Sequence, residues 1–185
     1  MDYEIFKIIN GWAGQYEWLD FTMKSISEYG PYLFAIVVAL MAIDWRSEER
    51  RKAGIFAIAT AVLAVGINYV IGLIYYRDRP FVVHEVTLLL DHEADFSFPS
   101  NHTAGAFSIA FVLFYYYRRW GGLFLILACL IGLARPFVGH HYPSDVLGGI
   151  TVALLSSFCI IYFGEKMFAK FAARKKGQTA TLKDS

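Results

Sequence analysis

The sequence predicts an all-α integral membrane protein: a bundle of about five transmembrane helices, preceded by an amphipathic helix in the membrane interface. The chain of 185 residues is 57% hydrophobic and only 18% charged, whereas soluble domains are roughly 45–50% apolar and about 25% charged. In addition, residues 53–76 contain no charged side chain, and about 20 such residues cross a hydrocarbon layer as a helix.

Five apolar stretches are candidates for the membrane spans, and the second and fifth are the longest. They are Tyr29–Ile43 with an extension towards Phe21, Ala53–Tyr76, His102–Tyr117, Trp120–Val138 and Val146–Phe163. Before them, residues 3–20 mix apolar side chains with Glu4 and Lys7, a pattern typical of a helix lying in the interface. We expect a single domain over residues 1–173 and a polar cytoplasmic tail over residues 174–185.

The distribution of positive charge predicts which loops face the cytoplasm. Of the 17 lysine and arginine residues, most fall on one side of the predicted spans, and such an excess marks the cytoplasmic side. The residues on that side are Arg46, Arg50, Arg51, Lys52, Arg118, Arg119, Lys166, Lys170, Arg174, Lys175, Lys176 and Lys183. The N-terminus then faces outside, as do the two loops that contain or adjoin His84, His92, His102, His140 and His141.

Asp145 follows His141 by four residues, where the last predicted span begins. On a helix this spacing puts both side chains on one face, so we expect Asp145 to accept a hydrogen bond from one ring nitrogen of His141. The other nitrogen is then available as a nucleophile. The alternative is that Asp145 is only a favourable negative charge in the first turn of a helix.

His102 follows Ser100 and Asn101 at the start of another predicted span. Free backbone N–H groups at a helix N-terminus bind anions, and a histidine beside them is suited to protonate a leaving oxygen. The simpler interpretation is an N-cap serine followed by a histidine at the membrane interface.

Arg79 and Arg135 each adjoin an apolar span, where a guanidinium is costly unless it is paired or functional. Its planar fork suits the oxygens of a phosphate group. Arginines at helix ends also extend to lipid headgroups, so neither residue alone is specific. The convergence of two arginines, two histidines, a serine and an aspartate on one face favours a phosphate site.

These residues also form a pattern that matches a known family. The stretches Arg79-Pro80, Pro99-Ser100-x-His102 and Arg135-x5-His141-x3-Asp145 resemble the three-part signature of the type 2 phosphatidic acid phosphatase superfamily. Within it, the chain looks most like bacterial undecaprenyl-pyrophosphate phosphatases of the bacitracin-resistance type, which recycle a lipid carrier for peptidoglycan synthesis. The resemblance implies that His141 is the nucleophile that forms a phosphohistidine, with Asp145 orienting it. It further implies that His102 is the general acid, and that Arg79, Arg135 and Ser100 bind phosphate.

The chain departs from the family signature at three positions that matter for phosphate binding. One of them is Ala134, which stands where the family usually has a serine and so lacks its hydroxyl donor. Gly72 stands where the family usually has a lysine, seven residues before Arg79. We expect Arg77 to supply the missing positive charge. Asn101 replaces a usual glycine and brings a side-chain amide that we expect to contact phosphate.

The expected substrate is a polyprenyl pyrophosphate or another lipid phosphate, held among membrane lipids. Fixed positive charge from the arginines means that the scheme requires no metal or other cofactor. One alternative is a phosphatase for phosphatidate, phosphatidylglycerophosphate or another lipid monoester. A second is a metal-binding or transport protein that uses the histidines and acidic residues of the 81–97 loop. The net charge of +1, without a basic patch interleaved with aromatic residues, argues against nucleic acid as a partner.

Overall fold

The protein is a helical bundle in a computed structural model that describes residues 1–181, with side chains up to residue 170. No strand occurs within residues 1–181. The helices are α1 (Asp2–Asn10), α2 (Glu17–Ala42), α3 (Glu48–Ile74), α4 (Pro80–Val83), α5 (Asn101–Tyr116), α6 (Arg118–Phe137) and α7 (Pro143–Thr181).

Four of these helices are long and apolar enough to cross a membrane, namely α2, α3, α6 and α7. Large apolar side chains such as Leu40, Val62, Leu130 and Phe158 are exposed on their outer surfaces, and in a bilayer such surfaces face lipid tails. The all-α membrane bundle predicted from the sequence is therefore confirmed, and the protein is a multi-pass membrane protein.

The third predicted span, His102–Tyr117, corresponds to α5, which lies at the centre of the bundle. It has 16 residues, about 24 Å of helix, which is less than the roughly 30 Å of a hydrocarbon core. It packs against α2, α3, α6 and α7, and small residues such as Ala104 and Ala110 are fully buried there. Because other helices surround α5, it does not need the length of a lipid-facing span, and its first turn is enclosed at the site described below.

The N-terminal helix differs from the interfacial helix expected over residues 3–20. Helix α1 ends at Asn10, and a turn containing Gly14 at φ +79° separates it from α2, which already includes residues 17–20. Phe6 is 1% exposed, and the Asn10 amide donates to the carbonyl oxygens of Thr87 (2.9 Å) and Phe137 (2.8 Å). Helix α1 is therefore packed onto the end of the bundle, because Phe6 is buried there and the Asn10 amide is hydrogen-bonded there.

The connection between α4 and α5, which carries most of the 81–97 loop, is held in place by hydrogen bonds. The Leu89 N–H donates to the Val138 carbonyl (3.2 Å), and the Thr87 N–H donates to Asn10 (2.9 Å). The acidic side chains of Glu85 and Glu93 are exposed. The acidic side chains therefore extend outwards, while the backbone of this connection is held by α1 and by the α6–α7 loop.

The C-terminal helix extends beyond the predicted domain boundary at residue 173. Helix α7 continues to Thr181, so part of the stretch expected to form a polar tail is helical in its backbone. Residues 182–185 of that predicted tail lie outside the described residues.

Candidate active site

The three stretches that carry the predicted chemistry meet at one end of the bundle. The Ser100 N–H donates to the Asp145 carbonyl (3.0 Å), and the Ser97 N–H donates to the Arg77 carbonyl (2.7 Å). These backbone bonds connect the segment after α3, the start of α5 and the start of α7. The geometry of the site is therefore set by main-chain contacts as well as by side chains.

His141 lies at the centre of this site, with 2% of its surface exposed. Its Nδ1 is 2.8 Å from the Ser97 carbonyl oxygen, and because a carbonyl only accepts, Nδ1 carries the proton. Its Nε2 keeps a lone pair and lies 3.1 Å from Nη1 of Arg79. Burial, followed by the positive charges of Arg135 and Arg79, lowers the pKa of His141 well below its ordinary value of 6.5. The ring is therefore neutral near pH 7, the form that acts as a nucleophile.

The position of Asp145 corrects the expected direct hydrogen bond to His141. Its carboxylate lies 3.7 Å from Nδ1 of His141 and accepts instead from the Ser97 hydroxyl (2.5 Å) and the Tyr142 N–H (2.8 Å). Asp145 is the third residue of α7, and a carboxylate at this position reaches back to the N-cap N–H. That contact turns Asp145 away from the ring, so its link to His141 runs through Ser97, which contacts both residues.

Arg79 is buried beside His141, directly before the short helix α4. Its Nη1 donates to the His140 carbonyl (3.1 Å) as well as facing Nε2 of His141. Its Nε donates to Asp95 (2.6 Å), a carboxylate that is 46% exposed. The guanidinium is thus held from two sides with Nη1 towards the nucleophile. N–H groups fixed in this way are suited to donate to phosphate oxygens.

Arg135, near the end of α6, is 2% exposed. Its Nη1 donates to the Ser27 hydroxyl of α2 (2.6 Å). Its Nε and Nη2 are buried without a hydrogen-bond partner among the described residues. Buried charged donors without partners are costly, so the site has an unmet preference for an anion.

His102 lies between the cleft that contains Arg135 and a groove on the side of the bundle. It lines a cleft of about 430 Å³ together with Arg135, His140 and Ser27. It also lines an adjoining groove of about 230 Å³ between α2 and α5, with Pro31 and Ile109. His102 is therefore the residue at which a polar cleft meets an apolar groove.

Ser100 and Asn101 occupy the start of α5, beside His102. The Ser100 hydroxyl is the N-cap of α5 and accepts from the Thr103 N–H (3.5 Å) and hydroxyl (3.0 Å), as the simpler interpretation expected. Its own proton is still available to donate. Asn101 lines the α2–α5 groove and does not line the cleft that contains Arg135, because the helix turns it towards α2.

The contacts of Arg77 differ from the phosphate-binding role expected for it. Its Nη1 donates to Ser144 (2.6 Å) and to Asp145 (2.7 Å), and its Nη2 donates to Asp2 (2.7 Å). Its guanidinium also lies over the Tyr142 ring, 3.9 Å from the centroid. Arg77 is therefore held between two carboxylates, Asp2 and Asp145, by ion pairs that the sequence did not predict.

Gly72 gives a structural reason for the absence of the family lysine. A Cβ atom at this position would lie 2.3 Å from the Phe96 ring, so the space that a side chain would fill is taken by the segment before α5. Phe96 in turn lies one residue before Ser97, which contacts both His141 and Asp145. The glycine therefore allows the close approach that places Ser97.

Several residues of the site were missed in the sequence. Ser97 connects Asp145 with His141, Asp2 pairs with Arg77, Asp95 pairs with Arg79, and Ser27 pairs with Arg135. Ser97 lies three residues before Ser100 and could have been considered as part of the same motif. Asp2 and Ser27 carry no local signal, because each is more than 70 residues from its partner.

The other histidines gather at the same end without forming an evident metal site. The His84 ring stacks on Tyr3 (centroids 3.7 Å apart), and the rings of His92 and His140 are 4.6 Å apart. Burial, followed by the charge of Arg135, lowers the pKa of His140 to about 3. Among the side chains that the structure describes, no three His, Cys, Asp or Glu residues are grouped so as to hold a metal ion.

Similarity to known proteins agrees with this geometry. The chain is 39% identical over 165 residues to the undecaprenyl-diphosphatase BcrC of Bacillus subtilis, a match that covers 89% of this chain and 85% of that protein. Its fold matches LpxE of Aquifex aeolicus with a TM-score of 0.74 at 25% identity, over 87% of this chain and 94% of that one.

A second solved structure has a similar fold, the transmembrane PAP2-type phosphatidylglycerolphosphate phosphatase from Bacillus subtilis. It matches with a TM-score of 0.64 at 25% identity, over 89% of this chain and 86% of that one. The sequence pattern of the PAP2 superfamily matches residues 53–168, which include all three stretches of the site. The chain therefore belongs to the PAP2 superfamily and is a membrane lipid phosphatase.

Proposed function

We propose that the protein removes the terminal phosphate of undecaprenyl pyrophosphate, through a phosphohistidine on His141, at the outer face of the membrane. The observation that carries the proposal is the arrangement of His141, whose Nδ1 is tied to a carbonyl while Nε2 faces a guanidinium. Such a ring has one reactive nitrogen, fixed in direction and neutral near pH 7. The relation to the Bacillus subtilis undecaprenyl-diphosphatase supports the choice of lipid.

The binding step uses the donors that the cleft leaves unsatisfied. Phosphate oxygens accept from Nε and Nη2 of Arg135, which have no described protein partner, and from the guanidinium of Arg79. The hydroxyl of Ser100 and the free N–H groups at the start of α5 supply further donors. These groups are in place before substrate arrives, so they stabilise the charge of the transition state with little reorganisation.

The chemical step is an in-line displacement at phosphorus. Nε2 of His141 attacks the terminal phosphorus, the P–O bond to the lipid monophosphate breaks, and His102 donates a proton to the departing oxygen. Water then attacks the phosphohistidine while His102 accepts its proton, which releases inorganic phosphate and restores Nε2. The two arginines provide the fixed positive charge in this scheme, so no step needs a metal ion.

The α2–α5 groove suits the apolar part of the substrate. It begins at His102 and is lined by apolar or small residues, Pro31, Phe34, Gly105, Ala106 and Ile109, together with Asn101. A lipid whose phosphate lies under Arg135 can place the first part of its tail in this groove, between the outer helix α2 and the central helix α5. Lateral access from the bilayer follows from this arrangement.

The orientation is proposed from the distribution of lysine and arginine. The site lies at the end of the bundle that has few such residues, and the opposite end carries the α2–α3 and α5–α6 connections with their arginines. By the positive-inside rule the site faces outside, with the N-terminus outside and the C-terminus in the cytoplasm. A cysteine introduced at Glu85 should then react with an impermeant maleimide in intact cells.

A phosphatase for lipid monoesters is the second candidate, because the fold is similar to that of a phosphatidylglycerolphosphate phosphatase. The chemistry of the site serves both reactions, and they differ in leaving group. A pyrophosphate releases a stabilised phosphate anion, whereas a monoester releases an alkoxide that must be protonated. We therefore expect turnover of a monoester to depend more strongly on His102 than turnover of the pyrophosphate.

Phosphate release from purified protein tests the proposal. The substrates are undecaprenyl pyrophosphate, phosphatidate and phosphatidylglycerophosphate, each with a chelator present. We expect the pyrophosphate to be preferred and the His141→Ala variant to release nothing. Equal or faster turnover of the monoesters would contradict the substrate, and full activity in the variant would contradict the mechanism.

A further inference from the structure

The first turn of α1 joins the polar network behind the nucleophile. The carboxylate of Asp2 accepts from the Ser144 N–H (3.0 Å) and hydroxyl (2.5 Å). It also accepts from Nη2 of Arg77 (2.7 Å). Ser144 is the second residue of α7, so Asp2 satisfies one of the free N–H groups at the start of that helix from a different part of the chain.

The contacts continue from Asp2 to the reacting ring. Arg77 uses Nη2 for Asp2 and Nη1 for Asp145. Asp145 accepts from the Ser97 hydroxyl, and the Ser97 carbonyl holds Nδ1 of His141. This series of contacts runs from Asp2 to the nucleophile, and its last link is the main-chain carbonyl of Ser97.

The ion pair with Asp2 limits how Arg77 can contact Asp145. Arg77 lies between two carboxylates, and its guanidinium is also stacked on Tyr142. Without Asp2, Arg77 has one carboxylate left and can rotate to take both oxygens of Asp145. One of those oxygens is the acceptor for Ser97, so the contact that positions Ser97 would be weakened.

The pKa of Asp2 is consistent with a carboxylate held in its charged form. Partial burial, the largest influence, acts to raise this pKa. The hydrogen bonds from Ser144 and Arg77 outweigh burial, so the pKa is lowered from its usual range. Asp2 is therefore ionised near pH 7, where His141 is neutral and able to react.

We propose that Asp2 is a positioning residue of the active site, which acts through Arg77 and Asp145 to hold Ser97 and thereby the ring of His141. Helix α1 then contributes to catalysis and is more than an anchor on the bundle. The inference rests on the proposed function, since it concerns the same nucleophile. Asp2 touches neither the cleft nor its unsatisfied donors, so its effect falls on the rate of the chemical step and not on substrate binding.

The test compares the kinetics of Asp2→Asn with those of a matched variant on the same helix. Asn keeps a group that accepts from Ser144 but removes the charge that holds Arg77. We expect kcat to fall about 10-fold, the loss typical of a slightly misplaced reacting group, with KM unchanged. Glu4→Gln is the control, because Glu4 pairs with Lys7 on the exposed face of α1, and this variant should leave both constants unchanged.

A double variant separates positioning from general stability. If Asp2 acts through Arg77, adding Asp2→Asn to Arg77→Gln should lower kcat no further than Arg77→Gln alone. Thermal unfolding of each variant identifies any loss of folded protein. Should Asp2→Asn be poorly folded, Asp2→Glu keeps the charge and moves the carboxylate by one methylene, and the same selective fall in kcat is expected.

The outcomes distinguish the inference from the function on which it rests. An unchanged kcat in Asp2→Asn, a change confined to KM, or additive losses in the double variant would each overturn the role of Asp2 while leaving the phosphatase intact. Failure of the wild-type protein to release phosphate from any of the lipids would overturn both.

Discussion

At the scale of single residues, the two buried nitrogens of Arg135 are the clearest sign of what the site binds. Nε and Nη2 have no described partner, whereas Nη1 is held by Ser27. The hydrogen bond to Ser27 fixes the plane of the guanidinium, so the two unsatisfied donors point in a defined direction. An isolated buried cation would be strongly destabilising, and an anionic substrate removes that penalty.

Replacing Arg135 should therefore reduce catalysis more than folding. We expect Arg135→Lys to lower kcat/KM about 100-fold, as for the loss of one fixed donor to a transition-state oxygen, because an ammonium cannot donate from two fixed directions. Phosphate release and thermal unfolding measure the two effects. Ser27→Ala is the companion variant and should cause a smaller loss, since it frees the guanidinium without removing it. Equal activity of Arg135→Lys and wild type would exclude Arg135 from phosphate binding.

The pair of His141 and Asp145 shows which contacts the spacing of two residues in the sequence can predict. The sequence placed His141 and Asp145 on one face, and they do lie close, but the hydrogen bond expected between them is replaced by contacts through Ser97. The i, i+4 rule describes two positions on a helix, whereas His141 precedes the first residue of α7, Pro143. The N-terminal turn of α7 then competes for the carboxylate, and this competition decides the geometry.

At the scale of helices and connections, the segment before α5 lies close to α3. This contact explains why residue 72 is a glycine. Gly72 is buried in α3, and the Phe96 ring occupies the space where its side chain would be. The sequence identified Gly72 only as a missing lysine. The reason for the glycine is a contact between residues 24 positions apart, which no local pattern records.

A side chain at position 72 should consequently destabilise the fold. A Cβ atom there would lie 2.3–2.6 Å from three atoms of the Phe96 ring, so we expect Gly72→Ala to cost about 1–3 kcal/mol, as overpacking does. Unfolding in a fixed detergent measures the change.

Gly66→Ala is the matched control in the same helix, because nothing lies within 4 Å of its added Cβ. A double variant with Phe96→Ala should recover most of the loss, and a loss equal to that of Gly72→Ala alone would rule out this contact as the cause.

Helix α1 illustrates what amphipathic patterning does and does not predict. The mixture of apolar and charged residues correctly indicated a helix with one apolar face. The same pattern fits a helix on a lipid surface and a helix on a protein surface. In the structure α1 does pack on the bundle, where the Asn10 amide donates to two backbone carbonyls, while Ile5 and Ile8 of the same helix stay exposed.

At the scale of the whole molecule, the apolar spans and the three motifs were sufficient to predict the fold class and the end of the bundle at which the site lies. Helices that cross a bilayer can only begin and end at its two faces, so motifs at helix ends on the same side must converge. The same reasoning could not find Asp2 or Ser27, since neither lies in a motif. It also could not show that α5 is a short central helix enclosed by the others.

The groove between α2 and α5 leads to a prediction about the lipid tail. Gly105 lines the groove between α2 and α5, and a Cβ added to it meets no atom within 4 Å. We expect Gly105→Leu to fold normally and to fill part of the groove, raising KM for undecaprenyl pyrophosphate about 10-fold, a loss of about 1.4 kcal/mol in binding. A short, water-soluble phosphate ester that needs only the cleft should be hydrolysed as before.

Gly122→Leu is the control, since a Cβ added there is equally unobstructed but lies in the first turns of α6, away from the site. If both substrates were affected equally by Gly105→Leu, the groove would be part of the phosphate cleft and would not hold the tail.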